Sequence, residues 1–312
     1  NVIMTHIQLS ALCVSALLLL SCSSGADSPY TVSKVDRGIY RIEDSNAKNP
    51  AGETFDAEGN KTHFNNCSDM YLLKGSDSAL LIDLSNDIKW ADDADKYLRD
   101  IVHKLSGGKP LTITFTHNHG DHTGMLHAFI DDADVRFALP RTDFGKLADR
   151  VPADRSYIYD EGHTFSLGGM EVESLKVAGH TPGSVVFFVK DKNLVFTGDA
   201  IGSGHGVWIF NKAGFEDYVQ GFTAFLTYLD ENNIDKDNLR VFGGHYWQRD
   251  WLPELGDKEM GFQYISDMQE LIGRICRGEA DSEPSGLDMK AVDTYYRYGS
   301  AIVASNPSII SK

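Results

Sequence analysis

The stretch TFTHNHGDHTGM, residues 114–125, holds three of the chain's 11 histidines and one aspartate within six positions. Residues 111–117, which overlap the start of this stretch, are rich in β-branched side chains and predict a strand. Residues 122–130 predict a short helix. His117 and His119 are two positions apart, so an extended backbone at the strand end projects both imidazoles to the same side. Two converging imidazoles make half of a tetrahedral zinc site. The stretch therefore predicts a metal site in the loop that follows a strand.

Each polar residue of this stretch also has a structural interpretation. Asp121 suits the N-cap of a helix that begins near His122, and His122 itself suits a solvated first turn. His117 and His119 suit polar loop positions that have no partner. The joint pattern H-x-H-x-D-H after a strand is much rarer than any of its members, which favours the metal site. Asp121 and His122 turn away from the first pair, which suits a second ion, but the stretch alone leaves the number of ions open.

Three later fragments also carry residues of the types that bind metals. They are His180 in AGHTPGS, Asp199 in FTGDA and His245 in FGGHYW. Each fragment lies in a loop after or between predicted strands, where functional residues collect on a rigid scaffold. A Gly-Asp pair at a strand end is usually a turn, and a single histidine is usually structural. Four fragments in the order HxHxDH, H, D, H are nevertheless hard to explain as structural accidents.

Taken together, the four fragments resemble the motifs of the metallo-β-lactamase superfamily of metal-dependent hydrolases, and their sequences are most similar to the glyoxalase II and lactonase branches. The resemblance covers roughly residues 32–300. It implies an α+β fold, a four-layer αββα sandwich of two mixed β-sheets flanked by helices, in a single domain over residues 31–312. Predicted strands and helices interleave along the whole mature chain, which independently favours two packed sheets flanked by helices.

The resemblance, carried over residue by residue, also implies a set of metal ligands. The ligands of metal site one are His117, His119 and His180. The ligands of metal site two are Asp121, His122 and His245. Asp199 bridges the two ions, and Asp83, in the predicted hairpin NCSDMYLLKGSDSALLIDLS, orients a metal ligand from outside this set. Nitrogen and oxygen ligands of this kind suit two Zn²⁺ ions, with iron or manganese as alternatives.

The activity that the resemblance implies is a dinuclear zinc hydrolase similar to hydroxyacylglutathione hydrolase. Two ions about 3.5–4 Å apart share a hydroxide, because metal binding lowers the pKa of water to about 7. That hydroxide attacks an ester-type carbonyl of a small-molecule substrate, such as a thioester or a lactone. Asp121 is the expected catalytic residue, which orients the hydroxide and passes on its proton. A serine or cysteine nucleophile is not needed, and no G-x-S-x-G motif occurs.

Three other functions compete with this interpretation. Persulfide dioxygenases share the fold but hold one iron through the counterparts of His117, His180 and Asp199. Authentic β-lactamases of this fold lack a carboxylate at the position of Asp199, so a β-lactamase activity is disfavoured. A lipoprotein that only binds a ligand and has lost the enzymatic activity of this fold is disfavoured, because every expected metal ligand is present.

Glyoxalase II proper adds a helical C-terminal domain, which the residues after His245 do not clearly match.

The segment GDAIGSGHGVWIFNK, residues 198–212, predicts a wall of the substrate pocket. His205, Trp208 and Phe210 follow the bridging aspartate in a Gly-rich loop, and Tyr246 stands beside His245. We expect these side chains to shape the pocket. Burial of the aromatic rings beneath the loop, with His205 on the surface, is the alternative.

The N-terminus predicts export. The apolar stretch at residues 9–20 has the length of a signal-peptide core and is short for a membrane span. It ends in LLSC, which resembles the bacterial lipobox, so residues 1–21 are the expected lipoprotein signal peptide. Cys22 is then the lipidation site and residues 22–30 a tether, which implies a membrane-anchored lipoprotein facing the periplasm or the cell surface. An ordinary cleaved signal peptide is the alternative.

Composition sets further limits. The 312 residues are 42% hydrophobic, enough for a large core. The formal net charge of −16 argues against nucleic acid as a partner, since proteins that bind it concentrate lysine and arginine. Cys67 and Cys276 allow one disulfide after export, but their spacing does not decide whether they pair. The sequence leaves the oligomeric state open.

Overall fold

A computed structural model describes residues 28–48, 54–55, 61–63, 65–204, 206–251 and 260–310. The predicted signal peptide, Cys22, most of the predicted tether and His205 lie outside the described residues. Tyr30, the expected end of the tether, is the first residue of a strand.

Strands and helices interleave along the chain, as the sequence predicts. In chain order, the strands are β1 (Tyr30–Asp36), β2 (Ile39–Asp44), β3 (Thr54–Phe55), β4 (Lys61–His63), β5 (Asp69–Lys74), β6 (Ala79–Ile82), β7 (Leu111–Thr114), β8 (Val135–Pro140), β9 (Ser156–Tyr159), β10 (Thr164–Ser166), β11 (Glu171–Lys176), β12 (Val185–Val189), β13 (Leu194–Gly198), β14 (Val207–Trp208), β15 (Arg240–Gly243), β16 (Met260–Gly261), β17 (Asp281–Pro284), β18 (Thr294–Tyr298) and β19 (Ala301–Ser305). The helices are α1 (Ala94–Ser106), α2 (Gly120–Thr123), α3 (Gly145–Ala148), α4 (Lys212–Glu231), α5 (Phe262–Arg277) and α6 (Pro307–Ile310).

Two large mixed sheets organise the chain. The first has the strand order β1-β2-β5-β6-β7-β8-β9, antiparallel up to β6 and parallel from β6 to β9. The second has the order β10-β11-β12-β13-β15-β16, in which only the β13–β15 pair is parallel. A smaller sheet, β14-β19-β18-β17, joins the loop after β13 to the C-terminal segment.

Three apolar clusters show how the layers stack. The first joins α1, through Leu98 and Val102, to one face of the first sheet. The second lies between the sheets, where Leu80 of the first sheet and Phe187 of the second belong to one cluster. The third joins the outer face of the second sheet to α4 and α5, for example through Phe222. Alternation of buried side chains along the strands supplies both faces of each sheet, so the order of layers is helix, sheet, sheet, helix, as predicted.

The predicted elements differ from the observed ones mainly at their ends. The strand predicted at residues 111–117 ends at Thr114, so that His117 and His119 lie in the loop beyond it. The helix predicted at residues 122–130 is the single turn α2 followed by a 3₁₀ turn, Gly124–Ala128. The amphipathic pattern KEMGFQYISDMQELIGRI predicts a helix over residues 258–275, and the observed helix begins at Phe262, because the two residues before it pair with β15 as strand β16.

The C-terminal region was predicted least well. After α5, which ends where Gly278 takes a left-handed conformation with φ of 71°, the chain forms β17, β18 and β19. β17 reads DSEP and is exposed at every position, so it has none of the alternation that identifies a strand. Its pairing with β18 specifies this strand instead.

Cys67 is buried, Cys276 is exposed, and both are free thiols. In the part of the chain that the structure describes, no helix is long and apolar enough to cross a bilayer.

Candidate metal centre

Loops at the ends of four strands meet at one edge of the sandwich. The HxHxDH stretch follows β7, His180 lies between β11 and β12, Asp199 follows β13, and His245 follows β15. These are the residues that the sequence predicts as ligands. Their donor atoms form three overlapping groups, and within each group the atoms lie within 4.8 Å of one another.

The first group is His117, His119 and His180. The His119 Nδ1 atom lies 3.0 Å from the His180 Nε2 atom, and the Nε2 atom of His117 is buried without a hydrogen-bond partner among the described residues. Burial lowers the pKa of all three imidazoles, well below the usual value for His117 and to about 4 for His180. Neutral imidazoles that face one another across 3 Å are arranged as ligands for a cation between them.

The second group is Asp121, His122 and His245. The Nε2 atoms of the two histidines are 3.3 Å apart, and the Asp121 Oδ2 atom lies 3.4 Å from that of His245. Burial disfavours a charged His122, but Asp199 and Asp121 outweigh it and raise its pKa to about 10. Asp199 likewise raises the pKa of His245 well above its usual value, against the effect of burial. The carboxylates thus make this group attractive to positive charge.

Asp199 forms the third group with His117 and His122, and it also faces residues of the other two groups. Its Oδ2 atom is 3.6 Å from the Nε2 atom of His180 and 3.3 Å from that of His245, and its Oδ1 atom is 3.6 Å from that of His122. Burial works to raise the pKa of Asp199, but His245 and His122 hold it well below the usual value. Its Oδ1 atom is buried without a hydrogen-bond partner among the described residues. One ionised carboxylate therefore faces both groups of ligands.

Asp83 anchors the histidines from behind, as predicted for a residue outside the ligand set. It accepts hydrogen bonds from the Thr116 backbone N–H at 2.7 Å and the Thr116 hydroxyl at 2.8 Å, and its Oδ2 atom lies 2.9 Å from His122 Nδ1. The Thr116 oxygen in turn lies 3.0 Å from His117 Nδ1. Hydrogen bonds at Nδ1 leave the Nε2 atoms of both imidazoles turned to the centre.

Backbone carbonyls orient two further histidines in the same manner. His180 Nδ1 donates to the Trp208 carbonyl at 2.8 Å, and His245 Nδ1 donates to the Cys67 carbonyl at 2.6 Å. These bonds select the tautomer whose Nε2 lone pair points inward. Asp69 fixes the chain on both sides of His245, since its N–H donates to the Gly244 carbonyl and its carboxylate accepts from the Tyr246 N–H.

Two glycines permit the close approach of these loops. A Cβ atom on Gly244 would lie 2.7 Å from both Asp199 Oδ1 and a ring carbon of His122. Gly198 has a φ of +49°, and a Cβ atom there would lie 2.4 Å from the Thr116 hydroxyl oxygen. The glycines before Asp199 and His245 are thus required by the packing of the centre.

Asn66 is a residue at this centre that the sequence did not single out. Its side-chain N–H donates to Asp121 Oδ2 at 2.6 Å. Side-chain amides of Asn46 and Asn86 both donate to the Asn66 carbonyl, and Asn86 is itself bound to the buried Asp44. An asparagine in a loop gives no chemical signal of its own, although Asn66 is the first residue of the predicted hairpin motif. Asp121 is in the first turn of α2, whose N-cap is His119, so the N-cap interpretation of Asp121 does not hold.

The donor set fits two divalent cations. One group consists of imidazole nitrogens alone and the other two add a carboxylate oxygen, and zinc and similar borderline ions accept both kinds of ligand. Buried polar atoms normally have hydrogen-bond partners, so the unpaired His117 Nε2 and Asp199 Oδ1 atoms are explained if they bind metal.

A cavity of about 450 Å³ opens over the centre. Trp208 and Phe210 line it, as predicted, and Leu287 and Met289 from the C-terminal region line it as well. The ring of Tyr246, also expected in the pocket, lies 3.7 Å from the Arg41 guanidinium, and its backbone N–H donates to Asp69. The next residue, Trp247, lines the cavity.

The fold and the two ligand groups define a metal-binding protein with an αββα architecture. The chain belongs to the Metallo-beta-lactamase superfamily, whose family model matches residues 68–245. This confirms the superfamily and the fold that the motifs implied.

Curated relatives include enzymes. The probable metallo-hydrolase YqgX of Bacillus subtilis (strain 168) is 28% identical over 201 residues, which are 59% of this chain and 87% of that protein. The acyl-coenzyme A thioesterase MBLAC2 of Gallus gallus is 25% identical over 209 residues, which are 58% of this chain and 73% of that protein.

Solved structures show the same fold. A metallo-beta-lactamase from Pontibacter korlensis has a TM-score of 0.55 at 16% identity and covers 78% of this chain and 99% of its own. The FIM-1 enzyme from Pseudomonas aeruginosa, in its mono-zinc form, has a TM-score of 0.53 at 16% identity, covering 80% of this chain and 96% of its own. At such identities the likeness concerns the fold alone.

Proposed function

We propose that this protein is a dinuclear metal-dependent hydrolase that cleaves an ester-type carbonyl, in a thioester, a lactone or a related compound. The observation that carries the proposal is the position of the Asp199 carboxylate, within 3.6 Å of His180 in the first group and of both His122 and His245 in the second. A carboxylate shared by two ligand groups suits two neighbouring ions, with zinc the first candidate and iron or manganese the alternatives. The thioesterase among the relatives supports the substrate type.

The residues divide the chemical work between them. The three ligand groups would hold divalent ions, which would supply a hydroxide near neutral pH because metal binding lowers the pKa of water to about 7. Asp121, held by the Asn66 amide, keeps a fixed orientation toward the attacking water and takes its proton. That proton then passes to the leaving sulfur or oxygen, so that the C–S or C–O bond breaks and a neutral thiol or alcohol departs. Hydrogen bonds with Asp83 and Thr116 keep the imidazole rings of His117 and His122 in a fixed orientation.

A substrate panel tests this function. Protein loaded with zinc is assayed against an acetyl thioester, a γ-lactone, a phosphodiester and a β-lactam. We expect turnover of the thioester or the lactone, and loss of that turnover in His117→Ala, because this residue lies in the first ligand group. Turnover of the β-lactam alone would overturn the proposed substrate type. Turnover unchanged in His117→Ala would show that the centre is not catalytic.

We further propose that the protein is exported and anchored to a membrane through a lipid on Cys22, since LLSC at residues 19–22 closes an apolar stretch of signal-peptide length. In cells that express the full chain, Cys22→Ala is expected to move the protein from the membrane fraction to the soluble fraction. Cys276→Ala, which changes an exposed thiol on α5, serves as the matched control and stays with the membranes. If Cys22→Ala also stays with the membranes, the lipid anchor is refuted.

A further inference from the structure

The loop after Asp199 is fixed to the C-terminal sheet. Its short strand β14 pairs in parallel with β19, with Trp208 opposite Ala304. The Ile209 N–H donates to the Ala304 carbonyl at 2.9 Å, and the Ser305 hydroxyl donates to the Ile209 carbonyl at 2.8 Å. The C-terminal sheet therefore determines where the aromatic residues of this loop stand relative to the metal centre.

The aromatic residues of the loop adjoin the first ligand group. The Phe210 ring centre lies 5.3 Å from that of His180 and 5.9 Å from that of His119, and the Trp208 ring follows at 6.3 Å from Phe210. Trp208, Phe210 and Leu287 all pack on an apolar cluster of the C-terminal sheet. This cluster consists of Val292, Tyr295, Ile302 and Ala304.

The cavity lining thus includes Asp288 and, beginning beside the first ligand group, a largely apolar part. We name it the apolar wall, and it consists of Trp208, Phe210, Leu287 and Met289. Met289 is 46% exposed, and a methionine in such a place offers an apolar contact that adapts to the shape of a ligand. The cavity volume of about 450 Å³ lies within the range of small-molecule sites. Asparagines 46, 65, 66 and 86 line the cavity with uncharged polar groups.

We infer that the apolar wall binds the acyl group of the substrate, so that the substrates are esters or thioesters of aliphatic acids. This inference rests on the proposed function and specifies its substrate class. A carbonyl held at the centre has Phe210 as its apolar neighbour beside His180, and Trp208, Leu287 and Met289 line the same cavity.

A series of acyl thioesters of N-acetylcysteamine, from acetyl to octanoyl, tests the inference on the metal-loaded protein. We expect kcat/KM to rise about fourfold per added methylene up to hexanoyl, the factor that corresponds to about 0.8 kcal/mol per buried CH₂. Ketone analogues, in which a methylene replaces the sulfur, are expected to bind in the same order by calorimetry without being cleaved.

Substitutions in the apolar wall test whether these residues cause the dependence of kcat/KM on acyl chain length. Met289→Ser, at an exposed position where folding is not at risk, and Trp208→Ala are each expected to reduce the hexanoyl-to-acetyl ratio of kcat/KM about tenfold. Tyr157→Ala, which removes an exposed aromatic ring from β9, is the control and keeps the ratio. If the acetyl thioester is hydrolysed but kcat/KM does not change with chain length, the role of the apolar wall is refuted and the proposed function stands. Failure to hydrolyse any thioester or lactone would overturn the proposed function, and an absence of chain-length order among the ketones would then overturn the wall as well.

Discussion

Asp199→Asn is expected to lower the rate of hydrolysis by more than about 100-fold and to remove at least one equivalent of metal from the protein. Loss of a hydrogen bond to a ligand already costs about 10–100-fold in affinity or activity, and Asp199 itself faces both ligand groups. Asparagine has the same shape but is neutral, so it no longer offsets the charge of two cations. Its amide N–H₂ group also turns a donor toward one side of the centre.

The measurements are kcat/KM on the best substrate, metal content by mass spectrometry, and circular dichroism to establish that the fold is retained. Asp160→Asn is the matched control, since this exposed carboxylate pairs only with Arg141 among the described residues, and exposed ion pairs contribute little to stability. Asp199→Asn with the turnover and metal content of the parent protein would refute the role of this residue in joining the two ligand groups.

Removal of metal with a chelator is expected to abolish turnover and to destabilise the fold. Ions bound at 1,000 times their Kd stabilise the folded state by about 4 kcal/mol. Without them, the buried His117 Nε2 and Asp199 Oδ1 atoms have no partner among the described residues. The expected fall in Tm is on the order of 10 °C for a chain of this size.

Differential scanning calorimetry of chelated and zinc-reloaded samples checks this expectation. Reloading restores both Tm and turnover, while magnesium, which binds imidazole poorly, restores neither. A chelated sample with unchanged Tm and unchanged activity would exclude a functional metal at this centre.

Much of the fold and of the candidate centre was predictable because both leave strong local signals. β7 is β-branched, and β12 and β13 are continuous apolar runs separated by a turn at residues 191–193. The proposed ligands are histidines and aspartates in loops directly after such strands, so residue type and position indicate the same chemistry. The structure brings all seven of them together.

The residues that surround the ligands were harder to predict, because their roles depend on contacts between distant parts of the chain. Asn66 reaches Asp121 across 55 positions, and its residue type is common in ordinary loops. Leu287 and Met289 reach the cavity only because the exposed, polar β17 pairs with β18. Tyr246 and Trp247 are adjacent aromatics, and the Tyr246 ring contacts Arg41 whereas Trp247 lines the cavity.

The metal content of protein expressed without residues 1–21 tests the central claim most directly. The two ligand groups joined by Asp199 predict about two equivalents of zinc-like metal per chain, together with hydrolysis of an ester-type substrate. One equivalent of iron, with oxygen uptake on a persulfide and no hydrolysis, would contradict the account and assign His117, His180 and Asp199 to a mononuclear iron site instead.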